Sequence, residues 1–298
     1  MEQNLLYSDQ DINVKELITV IWSKKTIILT ITAIFAVFSI FYALSLDNKY
    51  TSKAILELAG QDSQMSSGGG SSQLGGLASA AGFNISNSSN DAVLAIKTIQ
   101  SRDFLKHLLD FDGVLSNLIG IEAYDPSTKK VLYKDGLSPD DINSLPNPVF
   151  QELHNAYLGM VSLSEDQKSG LINLSVTSKS PYVAYDLSLL ILREINNVYR
   201  EETLKDSSKA LSYLNNQLAS TSQMEVRRSM SQVIESQLKI QMFANIRENY
   251  LLKPFDNAYV PDIKSGPARS IICIVITLTG LFISIIFSIA AHFYKKNT

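Results

Sequence analysis

Three histidines and two acidic pairs are the first candidates in this chain for acid–base or metal chemistry. The histidines are isolated from one another: His107, His154 and His292. The acidic pairs lie in segments with nearby proline or glycine, where carboxylates are usually solvated or cap a helix: Asp110 with Asp112, and Asp140 with Asp141. The sequence contains no His-Glu-x-x-His helix, no Gly-x-Ser-x-Gly turn and no cysteine set at metal-binding spacing. We therefore predict no catalytic residue, no cofactor and no metal site, and a protein that is not an enzyme.

Small residues recur at helical spacing in two apolar segments. The first set is Ala36, Ser39 and Ala43, and the second is Gly280, Ser284 and Ser288. Small side chains at this spacing let membrane helices approach closely. The pattern predicts packing between the two segments or between neighbouring protomers, and background composition is the alternative explanation.

Both apolar segments are long enough to cross a bilayer. Residues 26–46 and 270–291 contain no charged residue, and as helices each would be about 31–33 Å long, against a hydrocarbon core of about 30 Å. The large apolar residues of the first segment favour insertion by several kcal/mol, with no charge to oppose it. Ala43–Ser45 loosely resembles a signal-peptidase site, but the run is about twice the usual length, so we predict an uncleaved anchor.

Flanking lysines predict the orientation and the domain limits. Lys24 and Lys25 precede the first span, and Lys295 and Lys296 follow the second, so the positive-inside rule places both termini in the cytoplasm. The predicted domains are two transmembrane helices and three soluble parts: a cytoplasmic segment 1–25, a periplasmic domain 47–269 and a cytoplasmic tail 292–298.

The cysteine content favours a bacterial periplasm for the enclosed domain. Cys273, the one cysteine of the chain, lies inside the second span, so the domain has no disulfide and needs a core of its own. The formal net charge is −3, and no basic stripe with interleaved aromatic residues is present, which argues against a nucleic-acid partner.

The enclosed domain alternates strand and helix patterns. We predict strands at 49–59 and 250–259, a hairpin over 161–179 and helices at 90–109, 149–160 and 224–248, with loops at 60–83 and over most of 112–149. Ser180 and Pro181 predict the start of a helix of about 40 residues. A helix of about 60 Å exceeds the width of a small domain, so it should project from a base.

The predicted fold class is α+β: two transmembrane helices flank a periplasmic domain with a membrane-proximal mixed base and a long protruding helix. The first and last strands should pair in one sheet. Along the long helix, Leu204, Leu211 and Leu218 predict a face packed against the returning helix, or against neighbours in a ring. Polar residues on the same helix are candidates for contacts between protomers: Arg193, Arg200 and Glu201.

The stretch before the second span contains two prolines. Its residues are Pro261, Lys264, Gly266, Pro267 and Arg269. A plain linker is one interpretation. Because prolines fix φ and lack an N–H, the other is a stiff collar that couples the base to the membrane helix, with Lys264 and Arg269 reaching lipid headgroups.

The layout resembles the Wzz-type polysaccharide co-polymerases, the chain-length determinants of lipopolysaccharide O-antigen. Three stretches are similar to that family: "LGGLASAAGF" at 74–83, "SGLINLSVTSKSPYVAYDL" at 169–187, and the segment 235–270 that ends in the proline motif. Here the motif keeps only two prolines, Pro261 and Pro267, where the family often has more and a basic pair. The chain also has no room for the cytoplasmic kinase of many capsule and exopolysaccharide members.

The resemblance implies a non-enzymatic regulator that forms a homo-oligomeric ring in the inner membrane. It implies partnership with an integral-membrane O-antigen polymerase and lipid-linked polysaccharide, with a ruler, a timer and a scaffold all open as mechanisms. The alternative within the family is an inner-membrane component of capsule or exopolysaccharide polymerisation and export. An unrelated sensor or adaptor fits less well, since neither tail could hold an output module.

Overall fold

The computed structural model describes residues 22–59, 88–125, 127–128, 130–133 and 150–296. The predicted loop 60–83, most of the segment 1–25, residues 134–149 with Asp140 and Asp141, and the last two residues lie outside this range. The chain divides into two compact units. We call Met1–Asn48 with Ser265–Thr298 the helical unit, and Lys49–Lys264 the mixed unit.

The helical unit is built from two apolar helices, α1 (Lys25–Ser45) and α8 (Arg269–Lys296). Both are long and apolar enough to cross a membrane, and little of their apolar surface is buried. The core helix of a water-soluble protein would bury such a surface. These helices match the two predicted spans to within a residue at their starts, and α8 continues beyond Ala291.

The mixed unit contains a four-stranded antiparallel sheet in the order β4-β5-β1-β6. Its strands are β1 (Tyr50–Leu58), β4 (Val161–Glu165), β5 (Ile172–Ser178) and β6 (Leu252–Asp256). The prediction that the first and last strands pair is confirmed, because Leu58 lies opposite Leu252. The predicted hairpin is also confirmed, and Gly170 supplies the positive φ of 68° in its turn.

Helices cover the sheet and close the core. They are α2 (Ser88–Ile99), α3 (Arg102–Leu109), α4 (Val114–Ile119), α5 (Phe150–Met160), α6 (Pro181–Ser220) and α7 (Met224–Ile246), with a separate hairpin of β2 (Ile121–Asp125) and β3 (Lys130–Tyr133). The core joins alternate residues of β1 and β5 to apolar residues of α2, α3, α5 and α6. The mixed helix–sheet class is therefore as predicted.

The prediction of one helix over 90–109 was wrong. Ser101 has an extended backbone, and its side-chain oxygen accepts from the Phe104 N–H, so α3 starts afresh after α2 ends at Ile99. The break lets Ile99 and Phe104 both enter the core, which they do at 0% and 3% exposure.

The long helix α6 begins and ends as predicted. Ser180 caps it, and Pro181 occupies the first turn. Its first half, through Asn196, supplies nearly all of its buried residues and packs on the sheet. Its second half pairs with α7, where the buried residues are few: Ser207, Gln237 and Ala244. The Ser207 hydroxyl donates to the Gln237 carbonyl at 3.1 Å. Leu204, Leu211 and Leu218 are half-buried there.

Candidate functional site

The small residues of the two spans lie between α1 and α8. Ser39, Ala43, Gly280, Ser284 and Ser288 are all buried, while Ala36 is half-buried. A Cβ atom at position 280 would lie 2.5 Å from Phe35 Cβ. The close approach of α8 to α1 at this point therefore requires glycine.

The serines of this interface bond mainly to their own helices. Ser39 Oγ donates to the Ala36 carbonyl and Ser284 Oγ to the Leu281 carbonyl, each at 2.7 Å. Ser288 Oγ is buried and has no hydrogen-bond partner among the described residues. The interface therefore depends on close packing more than on hydrogen bonds across it.

Arg269 ties the two helices together at one end. Its guanidinium donates to the Leu46 carbonyl at 3.0 Å and to Asn48 Oδ1 at 3.2 Å. Leu46 directly follows α1 and caps its carboxyl end. Its side chain is half-buried against the carboxyl end of α1. The contact of Arg269 with lipid headgroups stays a prediction.

The five residues of the proline motif do not form one cluster. Pro261 and Lys264 belong to the mixed unit, where Pro261 is buried and Lys264 exposed, and Gly266, Pro267 and Arg269 belong to the helical unit. In the mixed unit the Ser52 hydroxyl donates to the Tyr259 carbonyl at 2.8 Å, which fixes the start of the stretch to β1.

A buried carboxylate on α6 organises the polar residues around it. Glu194 is 4% exposed and accepts from Arg193 Nε at 2.7 Å, His107 Nε2 at 2.9 Å and Asn197 Nδ2 at 3.3 Å. Burial raises the pKa of Glu194, but these hydrogen bonds outweigh it and hold that pKa below its usual value. Arg193 also lies over the Phe111 ring, 5.4 Å from its centre.

The residues predicted to contact other protomers have different surroundings. Arg200 bonds within its own chain, to Asn197 Oδ1 and to the carbonyls of Arg247 and Glu248, just beyond the end of α7. Glu201 is exposed, and the Arg193 side chain is 60% exposed. Arg193 and Arg200 both line an open polar groove of about 1080 Å³ between α6 and residues 245–249.

Asn196 has a structural role that the sequence did not indicate. Its Oδ1 accepts from the N–H groups of Leu251 and Leu252, and its Nδ2 donates to the carbonyls of Leu252 and Leu192. The side chain thus binds the start of β6 to the middle of α6. An Asn in mid-helix resembles a solvent-facing residue, and only the neighbouring apolar positions hinted at burial.

Two of the histidines have hydrogen-bond partners in the described part of the chain. His107 is held by Glu194, and His154 Nε2 lies 2.9 Å from the Gln100 carbonyl. Across the part of the chain that the structure describes, no group of three or more His, Cys, Asp or Glu side chains could hold a metal ion.

Comparison with known proteins bears on the first third of the chain. Residues 10–110 match the model of the Wzz family, described as chain length determinant protein. The resemblance to the Wzz family is confirmed. The Wzz match includes α1, β1, α2, α3 and the stretch 74–83 quoted above, whereas the other two quoted stretches lie beyond it.

Other comparisons add little to the Wzz match. No curated protein matches this chain in sequence. A solved structure described as a full-length bacterial polysaccharide co-polymerase is similar over 95% of this chain and 99% of its own, with 11% identity and a TM-score of 0.41. A TM-score this low does not by itself establish a shared fold.

Proposed function

We propose that this protein is a non-enzymatic regulator of O-antigen chain length in the inner membrane of a bacterium. The observation that carries the proposal is the match of residues 10–110 to chain length determinant proteins. The two apolar helices at either end of the chain fit such a membrane protein. Polysaccharide chain-length determination follows from the family, and O-antigen as the polymer rests on the stretches resembling the O-antigen members.

In the proposed topology, both termini are cytoplasmic and the mixed unit is periplasmic. Lys24 and Lys25 before α1 support it through the positive-inside rule. The lipid-linked polysaccharide and its polymerase would then meet the regulator at the periplasmic side of the membrane.

The proposed assembly is a closed ring of identical protomers that acts with the O-antigen polymerase. Its support is an exposed apolar stripe on α7: Leu238, Met242 and Ile246 recur every four residues and are 52%, 47% and 71% exposed. An apolar stripe of this kind marks an interaction surface. Arg193 and Glu201 on α6 are further candidates for contacts in the ring.

The deciding experiment is deletion of the gene followed by electrophoresis of the surface lipopolysaccharide. We expect the deletion strain to lose its modal band cluster and the intact gene to restore it. An unchanged ladder would contradict the proposal. Loss of surface polymer with no change in length would instead favour a capsule or exopolysaccharide export component. Mass photometry in mild detergent tests the ring separately, since a monomer at micromolar concentration would contradict it.

A further inference from the structure

The connections from the four-stranded sheet to the two apolar helices both leave from one end of that sheet. Tyr50 begins β1 and lies opposite Ser178, the last residue of β5. β6 is also antiparallel to β1, and beyond its end Tyr259 accepts a hydrogen bond from Ser52. The start of β1, the end of β5 and residue 259 therefore share one end of the sheet.

Covalent reach limits how far this end can lie from a bilayer. α1 ends at Ser45, just before Tyr50, and α8 begins at Arg269, just after Ile263. An extended chain covers at most about 3.3–3.6 Å per residue, so each connection spans roughly 20 Å or less. If both helices cross a membrane, Tyr50 and Ile263 are therefore within that chain length of a helix end.

The segment 259–264 presents apolar side chains outward at this end. Ile263 is 81% exposed and Tyr259 is 52% exposed, although Pro261 between them is buried. The buried proline and the bond from Ser52 to Tyr259 hold the segment to the mixed unit from within. Covering the side chain of so exposed an isoleucine with an apolar phase lowers the free energy of the system.

Three tyrosine rings pack together at the same end. Tyr124 of the β2–β3 hairpin lies edge-on to Tyr50, with ring centres 5.8 Å apart, and to Tyr182 at 6.2 Å. Tyrosine is enriched where protein meets the headgroup layer, because its ring is apolar and its hydroxyl is polar. The composition of this end therefore suits a membrane–water boundary.

We propose that Ile263 inserts among the lipid acyl chains of the bilayer, with Tyr259 at the headgroup level. Asp262 and Lys264 flank Ile263 and are both exposed, so their opposite charges offset each other. The contact should therefore depend on the apolar side chain and not on anionic lipid. The inference rests on the proposed crossing of one bilayer by α1 and α8.

Tryptophan fluorescence in brominated lipid tests the contact. The full chain has a single tryptophan, Trp22, so W22F gives a silent background for three one-tryptophan variants. I263W places the tryptophan in the segment 259–264. F282W places it on α8, where the Phe282 side chain is 63% exposed, and Y213W places it on α6, where the Tyr213 side chain is 64% exposed. Tyr213 lies about 45 Å along α6 from Tyr182, since a helix rises 1.5 Å per residue.

Each variant is reconstituted in vesicles of dioleoyl or dibrominated phosphatidylcholine. We expect the brominated lipid to quench I263W and F282W strongly, to leave Y213W unchanged, and to act on I263W equally when phosphatidylglycerol is added. Quenching of F282W without I263W would overturn the inference and leave the proposed topology standing. Absence of quenching in F282W would overturn both. Equal quenching of Y213W, or quenching of I263W only with anionic lipid, would also contradict the inference.

Discussion

The guanidinium of Arg269, the first residue of α8, donates to the carbonyl of Leu46, the residue directly after α1. A cation at the carboxyl end of a helix interacts favourably with the helix dipole and satisfies a carbonyl that no helical N–H reaches. One side chain thus joins the end of the first span to the start of the second.

We expect R269A to lower the free energy of unfolding in detergent by about 1.5–3 kcal/mol, the usual value of a charged hydrogen bond in a half-buried site. R269K should recover part of the loss, because its point charge keeps the dipole interaction but not the fork geometry. K264A is the matched control, since Lys264 is exposed. Equal effects of R269A and K264A on thermal unfolding would show that the bond to Leu46 contributes nothing.

Enlarging Gly280 should separate the two spans. A Cβ at this position meets the Phe35 side chain, so G280V should destabilise the helical unit by about 1–3 kcal/mol through overpacking. The double variant G280V/F35A should be more stable than G280V, because removal of the ring makes room for the new side chain. Thr279 is exposed, and T279V serves as the control in thermal unfolding. A strictly additive double variant would contradict the predicted contact.

Replacing Asn196 should destabilise the mixed unit. In N196A the N–H groups of Leu251 and Leu252 lose their acceptor, which costs about 1–3 kcal/mol for a buried group left unpaired. N216A is the control, because Asn216 lies on the same helix and is exposed. Protection of the Leu252 amide in hydrogen exchange should fall in N196A alone, and unchanged protection there would be evidence against this role.

Glu194 should make stability depend on pH. Burial raises its pKa, but the hydrogen bonds from Arg193, His107 and Asn197 lower it further, so the folded pKa lies below the unfolded one. Its contribution is complete above the unfolded pKa of about 4.3 and is lost as the pH falls through the folded pKa.

The melting temperature of the full chain in detergent should therefore fall on acidification below about pH 4.3, and E194Q should flatten that dependence. Glu201 is exposed on the same helix, so E201Q should follow the unaltered protein. Parallel curves for E194Q and the unaltered protein would exclude Glu194 as the source.

The two prolines before α8 give a prediction about function. P261A with P267A frees φ at both positions and restores two N–H groups, so we expect a shifted or broader distribution of polysaccharide lengths on gels. Asp262 lies between them and is exposed, which makes D262N a suitable control. If the distribution stayed unchanged at normal protein levels, the stretch would be a linker and not a stiff collar.

Local signals made much of the fold predictable from sequence. The two spans, the hairpin with Gly170 and the start of α6 at Ser180–Pro181 depend on composition, turn chemistry and capping, all of which are visible in a short window. The break at Ser101 was missed because apolar spacing continues across it. The available signals were Ser101 as a capping residue and the acidic Asp103 in the first turn after it.

The same local patterns could not predict contacts between residues that are far apart in the sequence. Arg200 binds carbonyls just beyond α7, and Asn196 binds β6, so both partners are determined by how distant segments close on α6. Arg269 likewise meets Leu46 from the opposite end of the sequence. Residue type indicated polar roles for these side chains, but no pattern in the sequence identifies the carbonyl or N–H that each one reaches.

The position of β1 in the sheet has a consequence for biogenesis. β1 is the first strand to be synthesised, yet it lies between β5 and β6, and β6 is the last. The edge of β1 that pairs with β6 must therefore stay unpaired until the rest of the mixed unit has been made, and an unpaired strand edge is prone to aggregate. In the proposed topology, the exported chain needs protection until β6 has been made, so the sheet is completed shortly before α8 follows.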